Sequence, residues 1–461
     1  MRILGSSLMV LTAALSMSLF CVGCGDDEPP PDNTAKECNP ETQNGCATGL
    51  ACELVSGGKP ACFDPVSVKG KVFDALSNKP VEGAHVVARD ANDAAVSSVA
   101  VTAPDGSYSL RVPAQRTADG QVVDAKLTLR ADAAAFATFP QAPRVAIPFG
   151  VAEAAGKPLV IQTAATDIGL IPLPNAGNFG TVSGKVIASK PGGTLVVAGG
   201  ATGIADLSGD YTVFNVPAGM TEVRGYAAGL NLDSKAVSVV ASETVPNIDL
   251  IDNQKPTARI SGKISIVNAS GGAATSIVLA VEDTFIENAA RGEVPKGLRV
   301  GNITGDWAIE GVPDGKYVVL AAFENDGLVR DPDTSIGGTQ IVHIDVAGSD
   351  QALSESFKVT GALAVISPGA EAIEKISGPL TLSWEDDSSE DEYLVKLFDA
   401  LGNDVWSKQG NFDPGGSKPV TLAYDGPALM PGMIYQFRAT SIKAGVPISS
   451  TEDLKGVFQY Q

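Results

Sequence analysis

The chain is poor in the residues that most chemistry requires. It has two histidines in 461 residues, His85 and His343, and they stand in different stretches. There is no His-Glu-x-x-His pair for zinc, no Gly-rich phosphate loop ending in Lys, no dinucleotide fingerprint and no Gly-x-Ser-x-Gly elbow. Basic residues are outnumbered, 33 against 53 acidic, for a net charge of −20, and they form no basic block. Phosphate backbones are bound by clustered Lys and Arg, so nucleic acid is excluded as a partner. Aromatics make up 6% of the residues, with no Lys/Arg-aromatic stripe for base or sugar stacking. Helical periodicity is hard to find, and after residue 22 no run is apolar enough to cross a bilayer. No cofactor is implied, and the reading is not an enzyme.

What is present begins at the N-terminus. One basic residue, Arg2, precedes an apolar stretch from Ile3 to Val22, the layout of a secretory signal peptide. A membrane span needs about 20 apolar residues; this stretch is near that limit but is interrupted by Ser6, Ser7, Thr12, Ser16 and Ser18. It ends at Gly23-Cys24 and gives way to the polar Gly25-Asp26-Asp27-Glu28-Pro29-Pro30-Pro31. A small residue before a cysteine, then an unfoldable stretch, resembles a bacterial lipoprotein processing site. The resemblance implies that residues 1–23 are removed and that Cys24 is diacylated and becomes the first residue. Lipid chains contribute about 0.8 kcal/mol per buried methylene, enough for a stable tether to the membrane. With Gly25 rather than Asp after the cysteine, the same resemblance leans towards the outer membrane.

Residues 24–36 read as a disordered tether rich in Pro and Asp. In 37–65 four cysteines remain, Cys38, Cys46, Cys52 and Cys62, with few apolar residues around them. In an exported chain an even set of this kind reads as two disulfides replacing a core, with three pairings open. Paired Cys-x-x-Cys spacing for a metal is absent.

Beyond the cysteines the chain repeats itself. The shared opening is apolar-x-Gly-Lys-apolar, at Val68-Lys69-Gly70-Lys71-Val72, Val182-Ser183-Gly184-Lys185-Val186 and Ile260-Ser261-Gly262-Lys263-Ile264. Each opening is followed by a Gly-containing turn and an aromatic-x-apolar alternation, Tyr108/Leu110, Tyr211/Val213 and Trp307/Ile309, then by Val-Pro. Period two places each pair on one sheet face, and the Pro ends the strand. Further strands are expected over 221–227 and 316–323. In the first repeat, Pro80-x-x-Gly83-Ala84-x-Val86 with Asp105-Gly106-Ser107-Tyr108 resembles the carboxypeptidase regulatory-like domain, a prealbumin-like sandwich. That accessory domain lacks the peptidase's zinc ligands, so the resemblance implies no catalysis. The last part is different: Leu380-Thr381-Leu382-Ser383-Trp384, and Tyr435 after Leu429-Met430-Pro431-Gly432, resemble a fibronectin type III domain. Trp384 would be its core tryptophan and Tyr435 its corner tyrosine.

The expected fold is therefore all-β, with tandem antiparallel β-sandwiches: 66–175, 176–254 and 255–368 as repeats and 369–461 as the fibronectin-like unit. Four units in series predict a semi-rigid rod. Each histidine alternates with apolar neighbours and is expected on an outward strand face. A weak calcium candidate is Glu324, Asp326, Asp331 and Asp333, against the simpler reading of a polar hairpin loop. The acidic run 385–392 reads as a solvated loop. The function that follows is that of a non-catalytic envelope lipoprotein in adhesion, scaffolding or ligand presentation, with a protein or glycan as possible partner. The alternative is a carbohydrate-binding accessory of a polysaccharide-handling or export system.

Overall fold

The structure, a computed structural model, describes residues 38–461 apart from 143, 268–271, 322–325, 331–340, 388 and 413–418. The described residues form small β-sheets joined by turns and short 3-10 segments, with no α-helix among them. The chain is all-β, in tandem sandwiches.

The repeated motifs have a shared physical cause. In each repeat the opening strand pairs antiparallel with the aromatic strand so that the Gly faces the ring: Gly70 opposite Tyr108, Gly184 opposite Tyr211, Gly262 opposite Trp307. A Cβ on Gly70 would lie 1.9 Å from the Thr166 carbonyl oxygen, and one on Gly184 2.1 Å from that of Ile248. The missing side chain lets the end of the unit close over its own first strand. Tyr108 then donates its hydroxyl to the Thr166 oxygen at 2.6 Å, and Tyr211 does the same to Ile248. In the third repeat the larger indole of Trp307 fills this space, its Cζ2 2.7 Å from where a Cβ on Gly262 would be.

The closing strands supply a feature the repeats alone do not reveal, parallel pairing. Val66–Asp74 takes Val160–Ile161 and Ile168–Leu170 as parallel neighbours. Phe179–Ile187 takes Thr244–Val245 and Leu250–Ile251, and Ala258–Val267 takes Gln351–Gly361. The opening strand is thus central in its sheet, and the chain crosses the opposite sheet before returning to it. Those opposite sheets are built on His85–Arg89 with Lys126–Asp132, Leu195–Ala198 with Gly219–Ala227, and Thr275–Val281 with Gly315–Ala321. Val-Pro marks the end of an aromatic strand, and the next strand begins at Gly219 and at Gly315.

In the last unit a three-stranded sheet centred on Thr381–Trp384 faces a larger one centred on Glu392–Asp399 and Ile434–Lys443. Trp384 is fully buried and meets the Tyr393 ring edge-on at 5.3 Å. The Tyr435 hydroxyl accepts the Met430 N–H at 2.9 Å, pinning the loop that precedes its own strand.

The cysteine segment pairs Cys38 with Cys52 and Cys46 with Cys62. It is docked rather than free. Its strand Ala51–Val55 runs parallel to Gln115–Arg116 of the first sandwich. Arg116 reaches back to Glu53 at 2.5 Å, donates to the Asp64 carbonyl at 2.9 Å and lies over the Phe63 ring.

The sandwiches do not form a rod. Contacts close into a ring. The Asn215 side-chain amide of the second unit donates to the Ala133 and Phe136 carbonyls of the first. The Gly229 N–H of the second donates to Gly311 of the third at 2.7 Å. Between third and fourth, the Gly327 N–H donates to Glu452 at 2.6 Å and Ser449 to the Gly361 carbonyl at 2.7 Å. Between fourth and first, Arg144 donates to the Leu401 carbonyl, and Ile147 packs with Ile434 and Val457. The strand burial shows the same thing. Lys126–Asp132 and Thr275–Val281 are buried on almost every residue, because one face meets its own core and the other meets a neighbouring unit.

Candidate functional site

At the centre of this ring lies a cleft of about 610 Å³, to which all four sandwiches contribute. Four arginines line it, Arg89, Arg144, Arg291 and Arg438, with the acids Asp90, Asp93, Glu293 and Asp453. The rest of its wall is mostly small or aliphatic, from Ala142, Ala146, Pro140 and Ile286 among others, with Thr128, Thr138, Thr202, Thr284 and Gln141, and among the described residues no aromatic side chain lines it.

Strands place Arg89, Arg438 and the nearby Arg130, while Arg144 and Arg291 stand on connecting segments. Arg89 ends His85–Arg89, Arg130 stands near the end of Lys126–Asp132, and Arg438 lies within Ile434–Lys443. Arg130 is fully buried behind the cleft wall. Its guanidinium holds Asp132 with two bonds of 2.9 Å, Glu293 of the third unit at 2.8 Å and the Thr202 hydroxyl of the second at 2.6 Å. Arg89 adds Asp93 at 3.4 Å and Glu293 at 3.7 Å, and its buried Nε–H has no acceptor among the described residues. Arg291 joins Asp93 at 3.2 Å and also Asp453, which Arg438 holds at 2.6 Å. Arg299 pairs with Asp90. Buried ion pairs must be satisfied on both sides to be tolerated, and here Glu293, Asp93, Asp453 and Asp90 each meet an arginine of another sandwich.

The electrostatics are tuned by burial. Burial, with Arg291 close by, lowers the Arg438 guanidinium to about 9 despite Asp93. Burial likewise lowers Arg291 and Arg144. Asp90 is pushed up by burial, against the pull of Arg299. The arrangement can bind and cross-link. Neither histidine lines the cleft.

The residues singled out in the sequence are scattered. Cys24 lies outside the described residues, as do Glu324, Asp331 and Asp333 of the calcium candidate; Asp326 accepts the Leu328 N–H at 3.0 Å as a turn residue does. His343 is exposed on its strand and pairs through Nδ1 with Glu282 at 2.7 Å. His85 departs from the expectation of an outward face: it is half-buried against Phe214 of the second unit, ring to ring at 5.0 Å, and burial lowers its pKa. Among the described residues no serine hydroxyl hydrogen-bonds to either ring. The acidic run is more than a solvated loop. Asp386 accepts the Tyr393 hydroxyl, Asp387 the Ser441 hydroxyl and Asp391 the Ala444 N–H, so its carboxylates staple strand ends. The cleft arginines went unnoticed in the sequence. For Arg89, and for Arg130 behind the wall, the signal is an Arg within an apolar strand, in Val86-Val87-Ala88-Arg89 and Leu127-Thr128-Leu129-Arg130-Ala131.

No known protein family matches the chain, and no curated protein matches it. Solved structures resemble parts of it. One is the TIE protein of Bacillus anthracis, 12% identical, covering 82% of this chain and 68% of that one at a TM-score of 0.16. Two B repeat units of the collagen-binding protein of Staphylococcus aureus are 12% identical, with 86% and 98% covered and a TM-score of 0.16. A DUF3823 family protein from Bacteroides ovatus is 11% identical over 44% of this chain and 99% of that one, at 0.21. TM-scores this low say nothing of ligand or activity.

Proposed function

We propose that the protein is a non-catalytic lipoprotein of a bacterial envelope, anchored through Cys24 and probing its surroundings with a locked ring of β-sandwiches. The observation that carries this reading is the run Ile3–Val22 ending at Gly23-Cys24, with disulfides beyond it. Disulfides persist in oxidising compartments and are rare in the cytosol. A chain of separate sandwiches suits reach, whereas four sandwiches cross-linked around one centre suit rigid presentation of loops. We assign it a scaffolding or ligand-presenting role at the outer membrane, with prealbumin-like repeats and a fibronectin-like last unit. The glycan-binding alternative would use aromatics on loops, and among the described residues none lines the cleft.

The test is Cys24→Ala followed by membrane fractionation and mass spectrometry of the N-terminus. The expected outcome is uncleaved precursor or soluble product, without diacylglycerol on the chain. Unchanged sedimentation with washed membranes, and an unmodified Cys24 in the parent, would overturn the anchor.

A further inference from the structure

Around the central cleft six arginines, Arg89, Arg130, Arg144, Arg291, Arg299 and Arg438, meet five carboxylates, Asp90, Asp93, Asp132, Glu293 and Asp453. Among the described residues every one of these arginines except Arg144 touches a carboxylate. Arg144 spends Nε and one Nη on the carbonyls of Leu401 and Gly169, and stacks on Phe139 at 4.8 Å. Asp399, the carboxylate that acts on it from a distance, is turned onto its own loop, accepting from the Leu401 and Asn403 N–H groups. In a chain of net charge −20, this half-buried guanidinium holds a positive charge at the wall of a cavity.

We propose that the cleft is an oxyanion site, in which Arg144 receives the carboxylate or phosphate of a small polar ligand. The volume lies within the range of small-molecule sites, about 300–1,000 Å³. A guanidinium held by carbonyls at Nε and Nη2 is preorganised, and its Nη1 N–H groups are left to donate to an oxyanion in a charge-assisted bond. Small walls with the hydroxyls of Thr128, Thr138, Thr202 and Thr284 leave room for a polar body the size of one sugar ring, and among the described residues no aromatic lines the cleft to stack on a nucleobase. Because all four sandwiches form the wall, an occupant also bridges them. This inference does not depend on the lipid anchor and can fail without it.

The experiment is calorimetric titration of the detergent-solubilised full-length protein with glucuronate, with inorganic phosphate and with glucose. Saturable binding of glucuronate or phosphate, with none of glucose, is expected; which of the two binds identifies the oxyanion. Arg144→Gln removes a charged hydrogen-bonding partner, so affinity should fall about ten- to a hundredfold. Arg144→Gln also alters bonds to Gly169 and Leu401, so Ala142→Glu is the second variant: it leaves Arg144 in place but puts a competing carboxylate on the cleft wall, and should weaken binding as well. No saturable binding of either anion, equal binding of glucose, or affinity unchanged in Ala142→Glu overturns the proposal.

Discussion

Arg130→Met tests whether the sandwiches are locked through charge. Methionine keeps much of the apolar stem but no donor. Asp132, nearly buried, would retain Thr138 at 2.8 Å, and Glu293 would retain only the longer contact with Arg89. The bond to Thr202 of the second unit would be lost as well. Breaking a buried pair by removing one partner costs about 3–5 kcal/mol, because the remaining charge is stranded. The second sandwich keeps its own core, including Val182, Val213, Val223 and Leu250, so the loss should fall on the contacts between units. Small-angle scattering should show a larger radius, and limited proteolysis new cuts between the sandwiches, before any one of them unfolds. Adding Asp132→Asn and Glu293→Gln to Arg130→Met should recover part of the loss by removing the stranded charges. If Arg130→Met changes stability by less than about 0.5 kcal/mol, the range of ordinary surface substitutions, and leaves scattering unchanged, the lock is refuted.

Three further outcomes are expected. Gly184→Ala should cost about 1–3 kcal/mol through forced overlap with the Ile248 carbonyl, whereas Gly305→Ala, at a position with open space, should be near neutral in the same thermal melt. Reduction of the two disulfides, whose cysteines are 14 and 16 residues apart, removes about 3 kcal/mol each; protease should then cut within 38–62 while the sandwiches persist. Burial raises the pKa of Glu452, against the Gly327 N–H that lowers it. A raised folded pKa gives a stabilising contribution that is present at low pH and lost as pH rises through it, so Glu452→Gln should raise the melting temperature at pH 7 and no longer do so near pH 4; an equal rise at both would contradict this.

Much of the fold was legible because it rests on local rules. Strand alternation and the turn glycines mark out the aromatic strands, and Gly70 and Gly184 repeat because a backbone carbonyl lies where a side chain would be. Even Trp384 and Tyr435 could be picked out, since a buried indole and a hydroxyl tied to a nearby N–H depend on neighbours in one unit. The ring arrangement was not legible. Arg89, Arg130, Arg291 and Arg438 lie apart in the chain, and in isolation three are arginines on strands and Arg291 one on a connection. His85 looked outward for the same reason: its alternation describes its own sheet, while Phe214 belongs to another.

The sequence by itself determined the β class, the repeat and the cysteine set, because periodicity, turn chemistry and residue type act over a few residues. Only the tertiary structure decided which cysteines pair, that the units close into a ring, and that arginines and acids from three sandwiches meet in one cleft that all four line. Those outcomes depend on long-range docking, where a buried charge is stable only if a distant segment brings its partner.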